Sequence, residues 1–373
     1  MDFDFPDELK QLRAEARRFL ADRCPPAAAR RALEGAGLDR ALWSELAAMG
    51  WIGAALAEEH GGAGLGHLAL CVLSEEIGRA IAPLPWANSV CLAAEAIAAH
   101  ASPAQKARWL PGLANGSAIA TMALAEAPGP FDPARLRPAV ADGRLTGTRT
   151  AVPDGTEADL IVIAAPPSGP GAWLWVVERG AAGLTATATP GIDPARPLAR
   201  LDFAATPAEP LPGATGPEAI RRLLDRAAVL GAFEQLGCAE AALEMARDYA
   251  RGRYAFGRPI GSFQAIKHKL ADVYIAVELA RANAYYGAWA LETDAAELPV
   301  AAAVARIAAC EAGWIATKEN IQTHGGMGFT WAFDCHLFYR RARAQALALG
   351  SAREWKHRLI GELAARNAPA RSD

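Results

Sequence analysis

Net charge, paired cysteines and long uninterrupted apolar runs are all scarce in this sequence of 373 residues. The 38 basic and 41 acidic residues leave a net charge of −3, which offers no bulk attraction to nucleic acid. Six cysteines (Cys24, Cys71, Cys91, Cys238, Cys310 and Cys335) form no C-x-x-C pair and no zinc spacing. They are expected as reduced, buried thiols of a cytoplasmic protein. The seven histidines show no H-E-x-x-H arrangement, so no metal is expected. Residues 1–10 are acidic and lack the apolar core of a signal peptide. The most apolar stretch, Leu298 to Thr317, is interrupted by Arg306 and Glu311 and reads as a core helix, not a membrane span. A glycine-rich stretch, Glu58 to Gly66, contains no lysine and follows no strand run, which excludes a P-loop.

Hydrophobic residues reach 52% and charged residues 21%, the balance of a globular chain long enough for two or three cores. Its organisation is helical, then β, then helical. Leu9, Leu12, Ala16, Phe19 and Leu20 recur at helical spacing, as do Leu42, Trp43 and Leu46 before Gly50. Leu68 to Ile81 and Ala87 to His100 read as helices, and Ser102-Pro103 with Gln105 starts another. Between 119 and 205 short β-type runs appear: Ile119–Leu124, Arg144–Thr150, Leu160–Ala164, Trp173–Val177 and Leu201–Phe203. A Pro/Gly-rich connector, Pro207 to Pro217, leads back to long helices. Ile220, Leu223, Leu224, Ala227, Leu230 and Phe233 mark one seam, and Leu270, Val273, Val277 and Ala280 another. The expected fold is α+β and mostly α. It has an N-terminal helical domain over 1–118, a central β-barrel or sandwich over 119–215, and a C-terminal four-helix bundle over 216–373.

Two segments carry the chemistry. Arg253 to Gln264 reads R-Y-A-F-G-R-P-I-G-S-F-Q, and Gln322 begins Q-T-H-G-G-M-G-F-T. In the first, a helix ends, the chain turns at Gly257-Arg258-Pro259, and a helix restarts near Ser262. Arg253 and Arg258 lie beside a helix C-terminus, with guanidinium forks suited to a phosphate. In the second, Gly325 and Gly326 let backbone approach a ligand closely.

In order and spacing, and with Lys267 to Asp272 and Tyr339-Arg340-Arg341-Ala342 in the matching surroundings, these segments resemble the signature of the acyl-CoA dehydrogenase family of flavoproteins. The resemblance spans nearly the whole chain. It implies FAD as cofactor, an acyl-CoA thioester as substrate and electron-transfer flavoprotein or a similar acceptor. Arg253, Phe256, Gln264, Gln322, Gly325 and Gly326 match the family positions that hold FAD's adenosine and pyrophosphate. In the family each FAD lies across a subunit interface, so an oligomer is implied, either a homo-oligomer or a pairing with a homologous chain.

The family reaction needs a carboxylate to take the α-proton of the thioester. It stands in one of two places, and here Leu349 and Ala227 occupy them. Of the nearby acids Asp225, Glu234, Asp334 and Glu354, each expected first as a surface charge, Glu234 is the candidate to test. It lies two turns after Ala227 on a similar face. The flavin side departs from the family as well. Its Thr-Glu-Pro-x-x-Gly-Ser-Asp segment is replaced by Leu124 to Asp132, with Ala125 for the threonine and Phe131 for the serine. Pro153 stands where a threonine is expected beside the flavin and has no N–H to donate. The resemblance therefore implies the non-catalytic chain of a heteromeric enzyme of lipid or steroid catabolism, one that completes a partner's FAD site. The alternatives are a self-sufficient homo-oligomer with an atypical base, or a flavin-free acyl-CoA-binding scaffold.

Overall fold

The computed structural model describes residues 5–367, apart from Pro128, Pro138 and Ser168. Six helices come first: α1 (Asp7–Arg23), α2 (Pro26–Arg31), α3 (Arg40–Ala48), α4 (Gly66–Arg79), α5 (Glu95–His100) and α6 (Pro103–Ala114). The apolar spacing dictates which faces go inward, and Ala16, Leu20, Leu42, Trp43 and Leu46 are buried. The expected helix over 87–100 starts as a wider π-type coil, Trp86–Ala94, before α5. Ser102 and Gln105 close a reciprocal capping box on α6.

Eight strands follow in two four-stranded sheets. They are β1 (Ala120–Ala123), β2 (Val140–Ala141), β3 (Arg144–Pro153), β4 (Leu160–Ala164), β5 (Leu174–Glu178), β6 (Leu184–Thr189), β7 (Leu198–Pro207) and β8 (Glu209–Pro210). One sheet has the order β1-β4-β5-β8 and the other β2-β3-β7-β6. Among these strand pairs β1 and β4 run parallel and the rest antiparallel. Ile161, Ile163 and Val177 of the first sheet share a core with Leu145, Val152, Leu201 and Phe203 of the second, which makes the pair a sandwich.

The C-terminal region is helical again. The long α7 (Pro217–Gly252) packs against α4 and against two later helices. A Cβ on Gly78 of α4 would lie 1.8 Å from the Glu234 carbonyl, and one on Gly237 of α7 would lie 1.8 Å from the Glu75 carbonyl. The two helices therefore cross backbone to backbone. After α7 the expected corner is a β-hairpin, β9 (Tyr254–Ala255) paired with β10 (Arg258–Pro259). Its tip is Phe256-Gly257, with φ of 52° and 77°. A two-residue hairpin loop favours positive φ at both positions, which glycine accepts freely and phenylalanine only with strain. One 3₁₀ turn, Ile260–Ser262, leads into α8 (Gln264–Glu292), followed by α9 (Leu298–His324), α10 (Cys335–Ala348) and α11 (Ala352–Arg366). The helical stretch Leu298–Phe329, mostly α9, is long and apolar enough to cross a membrane by length and composition alone, and over half of its apolar part is buried inside the protein. All six cysteines are free and buried.

Candidate functional site

The two signature segments meet through a cluster of rings. Tyr249, in the last turns of α7, stacks on His324 at the end of α9, with centroids 4.0 Å apart. Phe333 lies at a steep angle to both, at 6.4 and 5.8 Å. The Arg253 corner and the Gly325-Gly326 turn thus sit on one platform. Burial in this stack lowers the proton affinity of His324, whose Nδ1 faces the Asn320 carbonyl at 2.9 Å. The Arg253 amide donates to the Tyr249 carbonyl (2.8 Å), and the Ile260 amide donates to the Arg253 carbonyl (2.8 Å), closing the base of the hairpin.

This platform is open. Phe256 is 94% exposed at the hairpin tip, and its ring touches Phe263 edge-on at 6.2 Å. Arg258 stacks over Phe263 at 4.1 Å, while Arg253 has no ion-pair partner among the described residues. Gln264 is the first residue of α8, where helix amides point outward and favour an anion. Gln322 is exposed on α9. Gly325 has φ of 60°, and a Cβ at either Gly325 or Gly326 would meet nothing within 4 Å.

The surroundings of Ala227 and Leu349, the positions that the resemblance matched to the base, are apolar. Ala227, 3% exposed, lies in an apolar cluster with Leu223, Leu224 and Leu92, against which Leu349, Phe131 and Leu124 pack. Leu349 ends α10, and its carbonyl accepts from the Trp355 indole at 2.9 Å. The Phe131 amide donates to Glu354 Oε1 at 3.2 Å. The same carboxylate accepts from the Ser351 amide (2.7 Å) and hydroxyl (2.6 Å) at the start of α11. Partial burial opposes ionisation of Glu354, but these donors outweigh it and hold its carboxyl below the ordinary range. Asp132, at the end of the segment, pairs with Arg221 at 3.4 Å. Pro128 of this segment lies outside the described residues. The Pro153 carbonyl accepts from the Thr121 hydroxyl at 2.6 Å.

The candidate acids are not the solvated charges that composition suggested. Glu234 is 2% exposed and paired with Arg196 at 3.0 Å. Arg196 also lies in the field of Asp154 and Asp193, and Asp193 pairs with Arg341 at 2.6 Å. Burial pushes the Asp154 carboxyl up to about 6, only partly offset by Arg196 and Asn88. Asp225 is buried beside Arg358 at 2.6 Å, and burial pushes its carboxyl up to about 7. Asp334 pairs with Arg30 of α2. A further polar group carried no sequence signal. His67 Nε2 lies 3.0 Å from Glu95 and 2.7 Å from Arg226, which itself donates to Glu95 at 2.7 Å. Burial works against the Glu95 charge, yet His67 and Arg226 hold its carboxyl below the ordinary range.

Two helical layers around a β-sandwich, with an arginine corner docked beside a Gly-Gly turn, define an acyl-CoA dehydrogenase-type architecture. The family models agree: the acyl-CoA dehydrogenase N-terminal domain matches residues 6–117 and the C-terminal domain matches residues 214–362. The chain belongs to the acyl-CoA dehydrogenase family, whose cofactor is FAD. It is 38% identical over 366 residues to acyl-CoA dehydrogenase IpdE2 of Mycobacterium tuberculosis, covering 96% of this chain and 98% of that one. It is 34% identical over 342 residues to FadE27 of the same species, covering 87% and 88%. Among solved structures it resembles a chain of a variant of the Tcur3481-Tcur3483 steroid ACAD, with a TM-score of 0.87, 37% identity and 96% and 99% coverage. It also resembles a chain of the ChsE4-ChsE5 complex from Mycobacterium tuberculosis, with a TM-score of 0.90, 30% identity and 99% and 100% coverage.

Proposed function

We propose that this chain is the non-catalytic subunit of a heteromeric acyl-CoA dehydrogenase and completes the FAD site of a homologous partner. One contrast carries this reading: the positions matched to adenosine binding are open to solvent, while Ala227 is buried and Leu349 half-buried in apolar packing. The open platform fits a dinucleotide. Arg253 supplies a free guanidinium, Phe256 an exposed ring, Gln264 and Gln322 side-chain amides, and Gly325 and Gly326 an unobstructed backbone. The filled region does not fit a flavin, because Phe131 and Leu349 occupy space there and Glu354 already takes the Phe131 amide. FAD bound across such an interface supplies the hydride acceptor for α,β-desaturation of an acyl-CoA. Among the described residues of this region no free carboxylate is left to take the α-proton, so that proton goes to the partner's base.

The self-sufficient alternative would use Glu234. Its burial and its pairing with Arg196 leave it poorly placed to receive a proton from a substrate. Both solved relatives named above are two-component assemblies by their descriptions, and one is described as a steroid enzyme, which favours a bulky acyl-CoA thioester for this chain too. Free, buried cysteines suit a reducing compartment, and we place the complex in the cytoplasm. Domain limits near residues 118 and 216 complete the proposal.

Purification alone and with a homologous chain that carries the base tests the reading. Alone, this chain is expected colourless and inactive. The complex is expected yellow and active, with Arg253→Ala weakening FAD retention about tenfold or more, the value of one charge-assisted phosphate contact. A yellow single chain that acyl-CoA bleaches, with turnover lost in Glu234→Gln, would overturn it.

A further inference from the structure

A groove of about 320 Å³ runs between α9, α10 and α11 and borders the Leu349 region at Ser351. Its walls are Glu311 and Trp314 from α9, Arg343 and Leu347 from α10, and Arg353 at the start of α11. Trp314 is 41% exposed and Leu347 57%, two of several large apolar side chains that face water on the bundle, and these two share one groove. The indole is not loose. Tyr339 lies against it at 5.7 Å, and the Arg343 guanidinium sits 4.8 Å above it. Neither Arg343 nor Arg353 has a carboxylate partner among the described residues. The groove therefore offers an apolar floor with two arginines that lack an ion-pair partner, while its one carboxylate, Glu311, is taken by Lys356, and an exposed apolar patch of this kind is a feature of protein interfaces.

Its position names the occupant. Glu311, Trp314, Lys318 and Gln322 recur every three or four residues along α9, so they share one helix face. That face runs from the groove to the Gly325-Gly326 turn. We propose that the groove is a second contact of the same interface, where the homologous chain that supplies FAD inserts an apolar side chain flanked by a carboxylate. The carboxylate meets Arg343 and Arg353, and the apolar side chain packs on Trp314 and Leu347. This inference rests on the partner reading and adds to it how the partner is held.

The test measures assembly separately from flavin content. Wild type, Trp314→Ala, Arg353→Glu and the double variant Arg343→Glu/Arg353→Glu are titrated with the homologous base-bearing chain. Hydrogen exchange is followed in the wild-type pair. Assembly is expected at least tenfold weaker in the double variant, with FAD per assembled complex unchanged. Residues 310–314 and 343–353 are expected to gain protection on pairing. Arg353→Glu alters one exposed side chain, so it remains informative should Trp314→Ala fail to fold. Wild-type affinity in the charge variants, with no protection of the groove, would overturn the inference while leaving the partner reading intact. Groove variants that abolish self-association but leave pairing unchanged would also overturn it, by assigning the groove to a second copy of this chain. Failure of the wild-type chain to pair at all would remove the partner reading and this inference together.

Discussion

The hairpin platform and the region around Leu349 lie in the same bundle, yet they are built in opposite ways. At the platform the backbone is strained and open. Phe256 sits at positive φ with its ring in water, and Gly325 turns with nothing above it. Around Leu349 the positive φ falls on a glycine, Gly350, and apolar side chains pack on each other, with a loop amide satisfied internally. Strain and exposure are costs that persist where a binding partner repays them. Close packing is the ordinary state of a protein interior. The comparison teaches that a family fold can be kept while its two functional ends follow different physical rules.

The largest effect should come from placing the missing charge in the filled region. Ala227→Glu puts a methylene and a carboxylate into a close-packed apolar cluster. It should cost on the order of 3–5 kcal/mol of stability. Chemical denaturation would show it as a reduced midpoint. A variant as stable as wild type would mean that the cluster hides usable space. Trp355→Ala tests the same packing by removal, since the ring is buried and its indole N–H holds the Leu349 carbonyl. A loss of about 3–5 kcal/mol is expected, with α11 losing hydrogen-exchange protection first.

Asp154→Asn sharpens the electrostatic side. The Asp154 carboxyl titrates near 6 when folded, above its ordinary value of 3.8. The folded state therefore binds this proton more tightly than the unfolded state does. The contribution to stability is full at low pH and declines as pH rises through roughly 4 to 6. The asparagine variant should match wild type near pH 4 and exceed it by roughly 1–3 kcal/mol at pH 8. Thermal melts across that range decide the matter, and a gain that grows toward low pH would reverse the sign. The smallest effects belong to the open platform. Gly325→Ala should cost roughly 1–2 kcal/mol because its φ of 60° and ψ of −139° are a backbone conformation that only glycine adopts readily. Gly326→Ala should change stability by less than about 0.5 kcal/mol, since its added methyl meets open space. A large loss at Gly326 would mean that the platform is packed even in the isolated chain.

Much of the fold was legible in the sequence because it rests on periodicity. The seam from Ile220 to Phe233 is buried at each of its apolar positions, and Leu160–Ala164 forms a strand over those same residues. Strand β6 was missed. Its Leu-Thr-Ala-Thr-Ala-Thr is largely exposed, so no apolar alternation marks it. The hairpin at Phe256 was read as a helix corner, because a phenylalanine at positive φ contradicts local preference. The expectation that Leu349 and Ala227 stand in the places of the base rested on residue identities alone. The fate of the other acids needed three dimensions. Glu234 meets Arg196, 38 residues away, and Asp225 meets Arg358, 133 residues away. One pair joins α7 to the β6–β7 connection and the other joins α7 to α11, contacts that no one-dimensional pattern reports.

Glu354 performs two tasks with one carboxylate. It completes the capping box that starts α11, and it clasps the segment ending at Asp132 through the Phe131 amide. The two elements lie more than two hundred residues apart in sequence, yet neither can change alone. A substitution that reopened the segment would loosen the first turn of the last helix, and a new cap for that helix would release the segment. The carboxylate is thereby a shared hinge pin, and loosening at either element is expected to be felt at the other.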